Sequence, residues 1–379
     1  MAQKSILHIT DFGAPYPGNF LASLQALDPL LRQEGWRQIY IFPERAQKRE
    51  WLARLKKQGL SIYIMPNSAL FGRSHFIRDV ARKENSYILH THFTYNDIAA
   101  SIATLLLRLM GIKAKVVWHM HSPWQANNSV PRRLKNFIKY YILGRIAQTI
   151  VVSEGGLQNM TTRGLPKKRA VVILNGIDIG RVTTQNRLRE EIRKEFGIDE
   201  TQKVILMFGR DPVIKGVDTA LQAFAETARQ RNDFVVLMVG AHHLESSQNY
   251  AMDLLGTIPK WLRIVEPRQC VADYYGAADL FISASRWEGF SYAVLEAMAN
   301  GLHIISSDIR GLEWAKGCEG VHFFTTCDVQ DLAANIQTAL NYGKHEYLEV
   351  GEANHEFVVK KFSVSRWAQD ILEFYRKLW

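Results

Sequence analysis

The chain has 379 residues, of which 47% are hydrophobic and 22% charged, enough for two globular domains of about 100–200 residues each. Its three cysteines, Cys270, Cys318 and Cys327, form no Cys-x-x-Cys pair, which argues against a disulfide framework and for a reducing compartment. The net charge of +10 is unevenly placed: residues 1–175 hold 25 Lys/Arg against 9 Asp/Glu, or +16, and residues 176–379 hold 22 against 28, or −6. A basic first half beside an acidic second half points to an anionic partner for the first half, with nucleic acid and an anionic membrane surface as the two candidates. The first residues alternate as a strand would, without the apolar run of a leader. The longest apolar stretch, residues 98–110, is broken by Arg108 and is too short to span a bilayer. A cytoplasmic protein is therefore expected, with its basic half available to the inner face of the membrane.

In chain order, short β-rich runs at 5–10, 38–42, 61–65, 87–91, 115–119 and 149–153 alternate with helical patterns such as 20–34 and 49–58. The second half repeats the alternation with runs at 203–208, 234–239, 262–265, 279–283 and 302–306. Strand alternating with helix implies parallel sheets of βαβ units. The expected fold is α/β, with two doubly wound, Rossmann-like domains. Residues 1–175 form the first, 176–360 the second, and 361–379 a C-terminal helix packing back towards the first. The linker is placed at Asn175-Gly176-Ile177-Asp178 and the polar stretch after it. Ligands of doubly wound sheets bind outside the carboxyl ends of the strands, so the loops that follow these runs should line a cleft between the domains.

Several of those loops carry chemistry. Residues 11–20 form a glycine-containing turn with Gly18 and Asn19. His90 and His92 end the fourth run, and His119 and His121 the fifth; alternation puts each pair on one face. Four histidines at neighbouring strand ends have the donor type for a metal, but no Asp, Glu or Cys cluster accompanies them, and no metal is expected. Residues 132–145 interleave cations with aromatic and aliphatic residues. As a helix they would show a basic amphipathic face suited to an anionic bilayer; a core helix with solvated lysines fits the same pattern. No nucleic-acid-binding module accompanies the charge, so nucleic acid is not expected as a partner.

Phe208-Gly209-Arg210 ends the first strand of the second half, and Lys215-Gly216-Val217-Asp218 opens the next helix. Cations at a helix start oppose the macrodipole unless an anion is present. A diphosphate there would receive charge-assisted hydrogen bonds worth about 1.5–3 kcal/mol each. In residues 279–301 an apolar run leads to a polar loop with Arg286 and Glu288. Gly289, Phe290 and Ser291 then enter a helix that holds Glu296 and closes at Asn300-Gly301. Gly289 allows close backbone approach, and Ser291 suits an N-cap. The unpaired N–H groups of a helix N-terminus hold anions. Two carboxylates straddling such a turn suit a ligand with both hydroxyls and phosphates, such as a nucleotide sugar.

The Glu-x7-Glu spacing of Glu288 and Glu296 resembles that of the family 4 glycosyltransferases, which are retaining enzymes of the GT-B fold. The resemblance extends to Gly209-Arg210 with Lys215-Gly216-Val217-Asp218, to Ser306-Ser307-Asp308 with Gly311, and to the turn Val172-Ile173-Leu174-Asn175-Gly176-Ile177-Asp178. It implies that Arg210 and Lys215 hold the donor diphosphate, with the N–H groups from Phe290 to Tyr292 meeting the phosphates beside Gly289 and Ser291. It gives Glu288 to the donor sugar and Glu296 to the ribose hydroxyls. The family's strand ending in Thr-x-His matches at His121, which would approach the donor sugar and the reacting centre; His119 stands where the family has Thr. The family's glycine loop borders acceptor and donor phosphate. Its Gly-Gly pair is absent here, and Gly18 with Asn19 is the nearest equivalent.

Some signatures are missing. There is no Asp-x-Asp, the metal-chelating mark of GT-A transferases, and no G-x-G-x-x-G or P-loop motif. Leaving-group charge would then fall to Arg210, Lys215 and the helix dipole, with no metal or other cofactor required. The activity implied is metal-independent, retaining transfer of a sugar from a nucleotide diphosphate donor, UDP favoured over GDP. The acceptor would be a hydroxyl of a glycan or lipid-linked glycan, in cell-surface polysaccharide or glycoconjugate synthesis. Two alternatives stay open: a GT-B-fold sugar-nucleotide epimerase, and a non-catalytic nucleotide-sugar-binding partner of a transferase.

Overall fold

The structure, a computed structural model, describes residues 4–121, 134–183, 189–240 and 244–379, the side chain of Lys344 excepted. The chain divides into two compact units, Met1–Gly176 with Val364–Trp379, and Ile177–Ser363.

The first unit is built on a parallel sheet of β1 (Lys4–Thr10), β2 (Trp36–Pro43), β3 (Ser61–Met65), β4 (Ser86–His92), β5 (Lys115–Met120), β6 (Ala147–Val151) and β7 (Ala170–Val172). Their order is β3-β2-β1-β4-β5-β6-β7. Both faces are covered, so the strands are apolar at nearly every position, as parallel sheets require. Alternation divides them cleanly. Ile6, Tyr40, Phe42, Ile88 and Val117 face one cluster, which helices α1 (Gly18–Gln33) and Val364–Leu378 complete with Leu24, Leu27, Trp367, Ile371 and Tyr375. Leu7, Ile9, Ile41, Leu89 and Trp118 face the other, under helices α2 (Leu70–Lys83) and α3 (Asp97–Leu109).

The second unit repeats the plan with β8 (Lys203–Phe208), β9 (Phe234–Val239), β10 (Leu262–Val265), β11 (Leu280–Ser283), β12 (His303–Ser307) and β13 (Val321–Phe324), in the order β10-β9-β8-β11-β12-β13. In each sheet the order reverses once, between β1 and β4 and between β8 and β11. Such switch points are where the loops at the carboxyl ends diverge and leave a crevice for a ligand.

Two short strands, β7 and β13, were not expected from the sequence. Both sit at sheet edges, where three or four residues suffice because only one side is paired. The expected basic helix at 132–145 also differs. Residues 132 and 133 lie outside the described residues. From 134 the chain forms a helical turn, a wide π-turn over Phe137–Ile142 and a tight turn at Leu143–Arg145. Lys139 does not face solvent there: its Nζ lies 2.6 Å from Asp97 Oδ2, with both side chains almost fully enclosed. A buried carboxylate on α3 needs a cation, and Lys139 supplies it at the expense of the outward basic face. Among the described residues no helix is long and apolar enough to cross a membrane.

Candidate active site

At the β8/β11 switch point the loop after β8 folds against the end of β11. Gly216 has φ +60°, and a Cβ there would stand 2.0 Å from the carbonyl oxygen of Ala284. Only glycine permits that approach. The contact is reinforced by Arg286, which donates to Asp218 Oδ2 at 2.6 Å and to the carbonyl of Val213 at 2.5 Å. Burial of the Asp218 carboxyl would raise its pKa; the hydrogen bond and charge of Arg286 together with backbone N–H donors, Thr219 among them, outweigh this and hold it below the ordinary value. The two motif loops are thus bound to each other.

This closure brings Lys215 to Glu288. Lys215 Nζ donates to Glu288 Oε1 at 2.5 Å, and Ser285 Oγ donates to the same oxygen at 3.0 Å. Gly311 supports the loop from behind, since a Cβ at that position would stand 2.2 Å from the Glu288 carbonyl. Arg210 is not drawn in: its side chain is 65% exposed, and its nearest acidic neighbour is Asp211 at 3.7 Å. That pair is solvent-exposed and weak, so the cation can exchange Asp211 for an anionic ligand.

Gly289, Phe290 and Ser291 lead into the helix Tyr292–Ala299. Ser291 occupies the N-cap with extended backbone but makes no side-chain cap bond, so the N–H groups at this helix start are not consumed by it. Phe290 stacks on Trp314 at 5.2 Å and meets Tyr292 edge-on at 5.9 Å. One and a half turns along, Glu296 is buried and fully engaged. Its Oε1 accepts from Arg181 at 3.0 Å and its Oε2 from the Tyr275 hydroxyl at 2.8 Å. Burial, then the adjacent Glu296 charge, drives the Tyr275 hydroxyl well above its usual pKa, so it remains a donor to that carboxylate. Arg181 and Tyr275 lie 115 and 21 positions from Glu296 and were not anticipated from the sequence. Ser285, three residues from Glu288, carried a local signal in its Ser-x-x-Glu spacing.

In the first unit, His121 follows β5 and is partly enclosed by Phe20 and Phe93, at ring distances of 5.7 and 4.7 Å. Burial lowers its pKa to about 3, so it is a neutral imidazole at physiological pH. Gly18, with φ +56°, is the first residue of α1, and Asn19 beside it is buried. His90 with His92 and His119 with His121 do share faces, at ring distances of 4.3 and 4.1 Å. His8, on β1, joins them and was missed in the sequence, where a single histidine in an apolar strand has nothing local to mark it. Within the same unit, a cavity of about 500 Å³ opens at the carboxyl ends of β1 to β4. Arg45, Lys48 and Arg73 line it together with Asp11, Asn67 and Asn96.

Residues 188–357 match the family model described as Glycosyl transferases group 1, and residues 30–181 match Glycosyltransferase Family 4. The chain belongs to glycosyltransferase family 4. Its relatives include alpha-maltose-1-phosphate synthase of Mycolicibacterium smegmatis, 26% identical over 82% of this chain and 84% of that protein. The lipopolysaccharide core biosynthesis mannosyltransferase LpsB of Rhizobium meliloti is 32% identical over 55% of this chain and 60% of that one. Among solved structures, Anabaena Alr3699/HepE in complex with UDP superposes with a TM-score of 0.81 at 18% identity, covering 98% of this chain and 100% of that one. The GT-B architecture of two parallel-sheet units is the one expected from the sequence.

This family 4 glycosyltransferase carries its motif residues on two distinct supports. Lys215, Glu288, Glu296 and the helix start at Tyr292 stand at the second unit's switch point, with Arg210 at its mouth. His121 follows β5, and Gly18 and Asn19 open α1, in the first unit, where the sheet order also reverses.

Proposed function

We propose that this glycosyltransferase transfers a sugar, with retention of anomeric configuration, from a nucleotide diphosphate donor to a hydroxyl of a glycan or lipid-linked glycan. The observation that carries the reading is the Lys215–Glu288 pair beside an uncapped helix start. An enzyme that must hold a diphosphate and an adjacent sugar needs a cation and helix N–H groups for the first and a carboxylate for the second. Lys215 and Arg210 receive the diphosphate, with the N–H groups from Phe290 to Tyr292. Glu288, released from Lys215 when that cation turns to the diphosphate, accepts from sugar hydroxyls and stabilises positive charge as it develops at the anomeric carbon. Glu296, held rigid by Arg181 and Tyr275, accepts from the ribose hydroxyls. Fixed cations carry the leaving-group charge, so no divalent metal is needed. The leaving phosphate takes the acceptor proton, on the same face as the departing bond.

UDP is favoured as the nucleotide, in keeping with the UDP complex of the Anabaena protein. In the cavity at the ends of β1 to β4, Lys48 and Arg73 stand beside an Arg45–Asp11 pair and Glu44, and these two cations can receive an acceptor that carries negative charge, as a lipid-linked glycan or phosphorylated sugar does; LpsB by its name serves lipopolysaccharide core synthesis. Cell-surface glycoconjugate synthesis at the cytoplasmic membrane face is the setting proposed. The test is incubation of the purified chain with UDP-, GDP- and ADP-sugars and candidate acceptors, in excess EDTA. Release of nucleoside diphosphate and a product whose anomeric proton coupling matches the donor's are expected. An inverted product, or activity abolished by EDTA and restored by Mg²⁺ or Mn²⁺, would overturn the retaining or the metal-independent part respectively.

A further inference from the structure

Five histidines, His8, His90, His92, His119 and His121, converge on one face of the first sheet, at the ends of β1, β4 and β5. The register sets His8 beside His90 and His92 beside His119, and alternation returns His121 to the same face two residues on. The rings of His92, His119 and His121 form a triangle. Their centroids are 5.4 Å apart from His92 to each of the other two, and 4.1 Å between those two. Each ring offers one nitrogen, and the three nitrogens lie within 4.8 Å of one another.

Buried polar groups in native proteins are almost always partnered. His119 is fully buried, yet neither of its ring nitrogens has a hydrogen-bond partner among the described residues. A neutral imidazole carries one N–H and one lone pair, so this ring holds a lone pair that meets no proton. The other two rings face each other, with His92 Nδ1 3.1 Å from His121 Nε2. Two nitrogens on a tetrahedral zinc, each bonded at about 2.0–2.1 Å, stand about 3.3 Å apart. The pair is therefore already near the separation a metal imposes. An ion between them replaces the shared proton, which moves to the far nitrogen of the ring that held it. On His92 that far nitrogen is Nε2, 3.0 Å from His8 Nδ1. With Nδ1 on the metal, His92 Nε2–H donates to His8, and such an outer hydrogen bond orients a ligand ring. His119 completes the set by turning its ring, which no described hydrogen bond restrains.

We propose that His92, His119 and His121 form a three-imidazole site for a divalent cation of the zinc class. Three histidines and a fourth position for water are a sufficient zinc set. The lack of an accompanying Asp, Glu or Cys cluster, which set a metal aside in the sequence, therefore does not exclude one. Imidazole suits Zn²⁺, Ni²⁺ and Cu²⁺, whereas Mg²⁺, Ca²⁺ and Mn²⁺ prefer oxygen. His121 is the least enclosed of the three and is the way in. The neighbouring triad of His8, His90 and His92 has similar spacing, but all three are buried and His90 Nδ1 is bonded to the Tyr375 hydroxyl. It lacks both an entry and a ring with two unbonded nitrogens.

The ion would not serve the transfer. On the reading that His121 approaches the donor sugar, a divalent charge on its ring opposes the positive charge that develops at the anomeric carbon, so zinc is an inhibitor. That consequence rests on the proposed function; the site itself does not.

The test is metal binding by the full chain, which is measured without reference to activity. Protein stripped with EDTA, then freed of it, should take up one Zn²⁺ in equilibrium dialysis. With Co²⁺ instead it should show the intense visible absorption of a four-coordinate ion. His119→Leu and His121→Ala should each weaken zinc binding by about 10²-fold or more, since even an outer-shell partner is worth up to that. His90→Leu should leave it unchanged. A wild-type chain that retains no zinc overturns the site. So does one equivalent held with unchanged affinity in both His119→Leu and His121→Ala, as binding at the exposed Cys270 and Cys327 would give. Loss in His90→Leu with retention in His119→Leu overturns it too, by moving the ion to the inner triad. If His119→Leu does not fold, His121→Ala, at the open edge, carries the comparison. In the transferase assay one equivalent of zinc should lower kcat and EDTA should restore it. Zinc bound with kcat unchanged would remove His121 from the donor sugar and leave the metal site standing.

Discussion

Glu288 and Glu296 share one motif, but their partners make them different instruments. Glu288 is partly open and accepts from a lysine ammonium and a serine hydroxyl. Glu296 is buried and fixed by an arginine and a tyrosine. A carboxylate that meets developing positive charge acts more strongly in the transition state than in the ground state. Glu288→Gln should therefore lower kcat by about 10²-fold, the scale of one electrostatic stabiliser, with a smaller change in donor KM. Glu296→Gln should act mainly on donor KM, because ribose is remote from the reacting bond. Steady-state kinetics showing the reverse pattern would exchange the two roles. The pair was legible in the sequence because its spacing is local. Arg181 and Tyr275, which orient Glu296, were not, because the fold alone brings them together.

At the scale of elements, runs such as Ser61–Met65, Lys203–Phe208, Phe234–Val239 and Leu262–Val265 could be read to the residue. Buried parallel strands are continuous apolar segments bounded by polar turns, and that contrast survives in one dimension. The edge strand Ala170–Val172 lacks it where the edge strands Ser61–Met65 and Leu262–Val265 keep it: it is three residues long, and Lys167, Lys168 and Arg169 immediately precede. Lys139 misled for another reason. Its partner Asp97 lies on a different helix, so the pattern of residues 132–145 could not show that one cation turns inward. The histidine-bearing strands β1, β4 and β5 make the first unit sensitive to acid. Their rings stack with Tyr40, bond to Tyr375 and pack near Trp367, and no described carboxylate pairs with any of them. The unfolded chain takes up protons near pH 6.5, whereas folded His8 and His121 resist until about 3. Their stabilising contribution is thus complete above pH 6.5 and lost as pH falls towards 3, by about 1.4 kcal/mol per unit for each ring that stays neutral. Urea unfolding should show a lower midpoint at pH 5.5 than at pH 7.5. Equal midpoints would mean that these histidines are not buried neutral.

At the scale of the molecule, the dominant fact is the separation of charge along the chain. The first 175 residues carry +16, and among the described ones six cations, Lys139 included, pair with a carboxylate. The apolar residues Leu134, Phe137 and Ile142 in the same unit are 61%, 52% and 53% exposed. Exposed apolar groups within a strongly basic unit match an anionic bilayer, where counter-charge draws the surface in and apolar contact holds it. A charge-driven association weakens with salt, since the screening length falls from about 30 Å at 0.01 M to about 10 Å at 0.1 M. The apolar share does not. Co-sedimentation should therefore show more protein on vesicles containing phosphatidylglycerol than on pure phosphatidylcholine, and less at 0.5 M salt than at 0.05 M. If the chain partitions equally to both vesicle types at low salt, the basic unit has no electrostatic surface role, and its charge must serve the acceptor in the cavity at the ends of β1 to β4.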